Sequence, residues 1–84
     1  MMSNIIIYTT AYCPYCVQAK RLLKKKDINF IEIAVDKEPE KRLDMMQKSQ
    51  RRTVPQIFNG DTHIGDCMEL YGFESEGTLD KLLA

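Results

Sequence analysis

The hydrophobic and polar positions along the chain fall into segments of two different periods. Ile5-Ile6-Ile7-Tyr8 is continuously apolar and β-branched, the pattern of a central strand covered on both faces. After a loop from Thr9 to Tyr12, apolar residues recur with helical spacing at Cys16, Ala19, Leu22 and Leu23, and Lys20, Arg21, Lys24 and Lys25 fall mostly on the other side. Lys24-Lys25-Lys26 lies in the last turn of this helix, where cations complement the dipole, and reads as a solvated face. Asp27 to Asn29 makes a turn. Ile28 to Val35 reads as a second strand, and the strand-helix-strand order implies a parallel pair with a right-handed crossover. Asp36 is the expected N-cap of a second helix over Lys37 to Gln50, with Pro39 tolerated in its first turn. Leu43, Met46 and Met45 are its expected buried stripe, the methionines acting as core filler.

Gln56-Ile57-Phe58 begins a short strand. Asn59-Gly60 is the signal of a two-residue hairpin, and Thr62 to Ile64 returns antiparallel. Gly65 ends that strand. Asp66 caps a further helical segment, with Glu69 three residues on in the pattern of a capping box. Gly72 is expected to interrupt this segment, and Ser75 to cap a last piece carrying Leu79, Leu82 and Leu83. The coarse order is β-α-β-α-β-β-α, an α/β chain.

Composition adds exclusions. The 84 residues suffice for one domain, 1–84, and 44% are hydrophobic, compatible with a small core that needs no staples. Twelve basic and 12 acidic residues give a formal net charge of +0, so no global field argues for nucleic acid or membrane binding. The first apolar run is too short for a signal peptide or a membrane span. Three cysteines without an export signal point to the reducing cytosol, so a cytoplasmic monomer is expected.

The candidate chemistry sits at Cys13-Pro14-Tyr15-Cys16, between the first strand and the first helix. Two residues between cysteines let the sulfurs meet when a helix begins at the first of them. Cys13 then lies at the helix N-terminus, where free N–H groups and the dipole favour a thiolate. Pro14 suits the first helical position. A structural disulfide between such near neighbours would gain little loop entropy. Half a zinc site is a second alternative, because His63 and Cys67 complete a four-ligand set on paper. The regular strand and helix patterns on both sides of the motif favour a thiol-disulfide redox site over either. His63 alone reads as an exposed strand residue.

Three segments in this order resemble the dithiol glutaredoxins of the small bacterial type: Cys13-Pro14-Tyr15-Cys16, Thr53-Val54-Pro55-Gln56-Ile57-Phe58 and His63-Ile64-Gly65-Asp66-Cys67. The resemblance covers nearly the whole chain. It implies a thioredoxin-like fold, a four-stranded mixed sheet with helices on both faces. It also implies a glutathione-dependent thiol-disulfide oxidoreductase, with glutathione as co-substrate and no metal. By the same resemblance Cys13 is the nucleophile, Cys16 the resolving cysteine and Tyr15 a neighbour of bound glutathione. Thr53, Val54 and Pro55 match the loop with a cis proline whose valine backbone pairs with the cysteinyl unit. Read from the residues alone, Val54-Pro55 would be a plain strand start. Gly65, Asp66 and Cys67 match the segment that holds the γ-glutamyl carboxylate. The implied partners are glutathionylated and disulfide-containing proteins, ribonucleotide reductase among them, and indirectly glutathione reductase.

The chain departs from the family pattern at Thr10, where many relatives carry a lysine nearby, at Asp66 instead of glycine, and at Met68 instead of an acid. Arg51 and Arg52 read either as substitutes for the missing cation or as two solvated loop charges; Asp66 or Glu69 is a candidate for the missing acid, with Asp66 favoured, although Asp66 beside the carboxylate site could instead repel it. Cys67, at a helix start, reads as a small, partly buried residue rather than a second thiolate. A related redoxin reduced by thioredoxin reductase, an iron–sulfur carrier and a zinc module are the competing functions.

Overall fold

The computed structural model describes residues 4–84. The elements run β1 (Ile5–Thr9), α1 (Pro14–Lys25), β2 (Phe30–Ala34), α2 (Pro39–Ser49), β3 (Gln56–Asn59), β4 (Thr62–Gly65), α3 (Cys67–Glu76) and α4 (Leu79–Leu83). The sheet order is β2-β1-β3-β4. β1 pairs parallel with β2, in register Ile7 to Glu32, and antiparallel with β3, Ile7 to Ile57. β3 pairs antiparallel with β4. The sheet is therefore mixed, as expected.

Alternation along β1 divides the core in two. Ile5 and Ile7 pack with Ala19, Leu22 and Leu23 of α1, Leu70 of α3, and Leu79 and Leu83 of α4. Tyr8 turns to the other face with Phe58, Val35 and Met45 of α2. A strand with both faces covered is the physical reason its sequence shows no polar alternation.

Several local expectations are corrected. α2 starts at Pro39, and its N-cap is Glu38, which makes no side-chain capping bond. Asp36 instead accepts a hydrogen bond from the Ala11 N–H at 3.1 Å, so a long-range loop contact outcompetes the local cap. Met45 is fully buried on α2, Met46 is partly buried, and Leu43 is exposed. A short helix resting on the sheet buries a narrow stripe, and Leu43 falls outside it. The hairpin turn is Gly60-Asp61, because Asn59 still pairs with Thr62. Gly60 takes φ +61 there, in the region that glycine favours.

α3 runs through Gly72 and Ser75 and ends at Gly77, whose φ of +79 makes it the left-handed C-cap. Thr78, not Ser75, precedes α4. Leu70 and the partly buried Phe73 pack on the core on either side of Gly72, and this packing overrides glycine's low helix propensity. Lys26 is not a free solvated charge either: its ammonium pairs with Glu74 at 2.7 Å and Asp80 at 2.8 Å, tying the end of α1 to α3 and α4.

Candidate active site

The strand directions bring three loops to one end of the sheet. The end of β1 delivers Thr10 to Cys13. The start of β3 delivers Thr53 to Pro55. The end of β4 delivers Gly65 and the first turn of α3.

Cys13 is the N-cap residue of α1, with extended backbone (φ −126, ψ 100), and Pro14 opens the helix. The Cys13 sulfur accepts a hydrogen bond from the Cys16 N–H at 3.1 Å, the role a serine or aspartate oxygen plays at other caps. Cys13 and Cys16 form a disulfide, with Cα atoms 5.1 Å apart. Cys13 is partly exposed, whereas Cys16 is buried at 1% of its surface. After reduction the same amide and helix terminus favour negative charge on the Cys13 sulfur. The end of β1, which leads to the cysteines, is tied to β2. The Thr9 hydroxyl donates to Glu32 at 2.7 Å, and Lys20 pairs with the same carboxylate at 2.9 Å, so Lys20 serves Glu32.

The second loop faces the first. The Val54–Pro55 peptide is cis. The Val54 carbonyl oxygen lies 3.9 Å from the Cys13 sulfur. Gln56 is fully buried, and its amide nitrogen donates to the Thr53 carbonyl at 3.1 Å and approaches the Thr53 hydroxyl at 3.3 Å. Its oxygen is 2.7 Å from His63 Nε2. His63 is thus a partly buried prop of this loop rather than an exposed strand residue. Burial, and then Arg51, push the His63 imidazolium below its usual range.

A cavity of about 290 Å³ opens between the loops, lined by Tyr15, Thr53, Val54, Pro55, Asp66, Cys67 and Met68. Of the glutathione-contacting residues the family resemblance marked, all but Gly65 are in this lining; Cys13 and Cys16 lie beside it, the Cys13 sulfur 3.9 Å from the Val54 carbonyl oxygen, and Gly65 directs the chain from β4 into α3, with φ +144. Met68 is three-quarters exposed at the mouth, near Tyr15 on the same lining. Cys67 is buried, and burial followed by the charge of Asp66 pushes its thiol up, which disfavours a second thiolate. Among the described residues, no group of three or more His, Cys, Asp or Glu side chains converges as a metal site.

Asp66 and Glu69 form the capping box. Asp66 Oδ1 accepts from the Glu69 N–H at 3.0 Å, and Glu69 Oε1 from the Asp66 N–H at 3.1 Å. Arg51 joins them, with both guanidinium nitrogens on Glu69 (Nη2 to Oε2 at 3.2 Å) and Nη1 3.6 Å from Asp66 Oδ2. Two expectations change. Arg51 is engaged within the protein rather than free to meet a ligand carboxylate. Asp66 has one oxygen capping α3 and the other beside Arg51, so it is not a free acceptor for an ammonium group.

The Arg51 guanidinium holds the Glu69 carboxyl down at about 2 against a usual 4.5. A depressed carboxylate stabilises the fold above its unfolded value, and that stability is lost as pH falls through the folded one. The Glu69 contribution is therefore complete above about pH 4.5 and nearly gone at about pH 2. Both side chains of the pair are 39% exposed, so water screening keeps the contribution to about 1 kcal/mol. Urea unfolding of wild type and Glu69→Gln should show a gap near neutral pH that closes in acid. A gap independent of pH would refute the electrostatic account.

Such a site, a helix-capping cysteine facing a cis-proline loop on a mixed four-stranded sheet, defines a thiol-disulfide redox protein of thioredoxin-like fold. The comparisons agree. The sequence model of the glutaredoxin family matches residues 5–64. A glutaredoxin of Pseudomonas aeruginosa is 49% identical over 83 residues, covering 99% of each chain. The solution structure of glutaredoxin from Brucella melitensis is 50% identical, with a TM-score of 0.85 over 98% of this chain and 89% of that one. The crystal structure of a buckwheat glutaredoxin–glutathione complex is 27% identical, with a TM-score of 0.87 over 96% and 76%. The chain belongs to the glutaredoxin family and is a thiol-disulfide oxidoreductase.

Proposed function

We propose that this chain uses glutathione to reduce protein–glutathione mixed disulfides and protein disulfides through Cys13 and Cys16. One observation carries the reading: the partly exposed, helix-capping sulfur of Cys13 lies 3.9 Å from the carbonyl oxygen of Val54, which lines a cavity walled by Tyr15, Thr53–Pro55 and Asp66–Met68. The Cys13 thiolate attacks the glutathione sulfur of a mixed disulfide, and the protein leaves as its thiolate. A second glutathione thiolate attacks the glutathione sulfur on Cys13, giving oxidised glutathione and regenerating the Cys13 thiolate. With a protein disulfide, Cys13 first bonds to one target sulfur. Cys16 then attacks Cys13, the target leaves reduced, and the intramolecular disulfide remains for glutathione to reduce. Each step exchanges one S–S bond for another, at a rate set by thiolate fraction and leaving-group acidity.

Disulfide-containing enzymes such as ribonucleotide reductase are the protein partners this reading proposes, and the reducing cytosol its setting. A buried, unpaired Cys67 suits such a compartment. The test is turnover of a glutathionylated peptide coupled to glutathione reductase and NADPH. Steady NADPH consumption is expected. Reduction by thioredoxin reductase alone, with none by glutathione, would overturn the proposal.

The α3 side of the cavity predicts a weakness. Glu69 and Asp66 are committed to Arg51 and to each other, and Met68 offers no acceptor for the glutathione ammonium. Met68→Asp adds a carboxylate at the mouth, in the first turn of α3. A charge-assisted hydrogen bond of roughly 1.5–3 kcal/mol corresponds to about tenfold or more in affinity. The apparent KM for glutathione should fall by about that factor. An unchanged KM would mean that the ammonium is already satisfied or lies elsewhere.

A further inference from the structure

The two walls of the cavity come from distant parts of the chain, and one side chain joins them. The main chain of Arg51 is fixed where α2 ends. Gln50 takes the left-handed conformation (φ 60), and the Ser49 hydroxyl donates to the Met45 carbonyl at 2.7 Å. The same Ser49 oxygen accepts from the Arg51 N–H at 3.1 Å. Two residues further on, Thr53 begins the first wall. The Arg51 side chain crosses to the second wall and grips Glu69 with two nitrogens. Glu69 in turn holds the N–H of Asp66, which directly precedes Cys67. Room for this carboxylate depends on Gly65, where a Cβ would lie 2.8 Å from Glu69 Oε1.

Isolated surface ion pairs contribute little, but this one is two-pronged, embedded in a capping box and anchored through backbone at both ends. We infer that Arg51 and Glu69 are positioning residues that set the spacing between the Thr53–Pro55 loop and the start of α3, and so the affinity of the cavity for the thiol compound it receives. Neither residue lines the cavity or acts on the sulfurs. The inference rests on the reading that this cavity receives the glutathionyl group.

The experiment is a double-mutant cycle with Arg51→Met, Glu69→Gln and the pair, in the full-length chain. Glu69→Gln keeps the reach of the capping side chain and fits beside Gly65. Each single variant should raise the KM for a glutathionylated peptide roughly fivefold, with kcat and the rate of Cys13 alkylation unchanged. The double variant should be no worse than either single one, because both remove the same contact. Arg51→Lys, which keeps the charge but not the fork, should fall between wild type and Arg51→Met. Amide hydrogen exchange at Asp66 and Glu69, the two N–H groups that the capping box holds, should accelerate in Arg51→Met. An unchanged KM, additive effects, or a fall in kcat with KM constant would overturn the clamp. Failure of the wild-type protein to use glutathione would instead remove the proposed function. Hydrogen exchange then decides the clamp alone, and unchanged exchange at Asp66 and Glu69 overturns it.

Discussion

Cys13→Ser is expected to abolish turnover of every disulfide substrate, whereas Cys16→Ser keeps the reduction of glutathione mixed disulfides and loses most reduction of protein disulfides. The asymmetry follows from place. Cys13 caps α1 with a partly exposed sulfur, and Cys16 lies one turn in, buried at 1% of its surface. An incoming disulfide reaches only the first. A serine at Cys13 keeps a capping oxygen but has no nucleophilic thiolate. Cys16 is needed only when a target must be expelled from Cys13 by an internal thiol. Initial rates with a glutathionylated peptide and with a protein disulfide separate the roles. An active Cys13→Ser variant beside a Cys16→Ser variant dead on both substrates would reverse the assignment.

Gly65→Ala should be the most damaging single-atom-scale change outside the cysteines. The residue sits at φ +144, and its Cβ would stand 2.8 Å from both the Cβ and the Oε1 of Glu69. A strained backbone costs about 1–3 kcal/mol and overpacking a similar amount, so a loss of about 3 kcal/mol is expected. For a chain of this size that lowers Tm by roughly 12–24 °C. Gly72→Ala provides the contrast. It lies within α3 with nothing within 4 Å of its would-be Cβ, so it should stabilise by about 0.5–1 kcal/mol. Thermal unfolding of the two variants checks both signs. A Gly65→Ala protein that melts like wild type would show that β4 and α3 adjust more freely than this junction allows.

What could be read in the sequence was local chemistry. Cys13-Pro14 announces a helix start because a cap and a proline at the first position act within one turn. Asp66 and Glu69 announce another for the same reason. The run Ile5–Tyr8 announces a covered strand because burial on two faces suppresses polar residues. The misread residues serve partners far along the chain. Asp36 looks like a cap until Ala11, 25 positions earlier, takes its carboxylate. Arg51 looks like a loose loop charge until α3 is folded against it. Lys26 completes a run of three lysines, and only packing shows that the third is paired with Glu74 and Asp80. Gln56 was visible as part of a motif, but its buried work on Thr53 and His63 depends on the β3–β4 pairing. Composition could not choose Met45 over Leu43, since both are apolar and only the seat of α2 on the sheet distinguishes them.

The alternation of strand directions has a practical outcome. With β1 and β2 running one way and β3 the other, the redox loops gather at one end of the sheet, and the Asp27–Asn29 bend and Gly60-Asp61 turn lie at the opposite end. There, the Gly60 N–H meets the Asn4 carbonyl at 2.8 Å, so the start of β1 lies at that end too. The molecule offers a working end and a handling end, separated by the length of its strands. Surface tethering, a fluorophore or an inserted reporter domain belongs at the Gly60-Asp61 tip, where exposed turns accept added chain and an attachment leaves the mouth of the thiol cavity open.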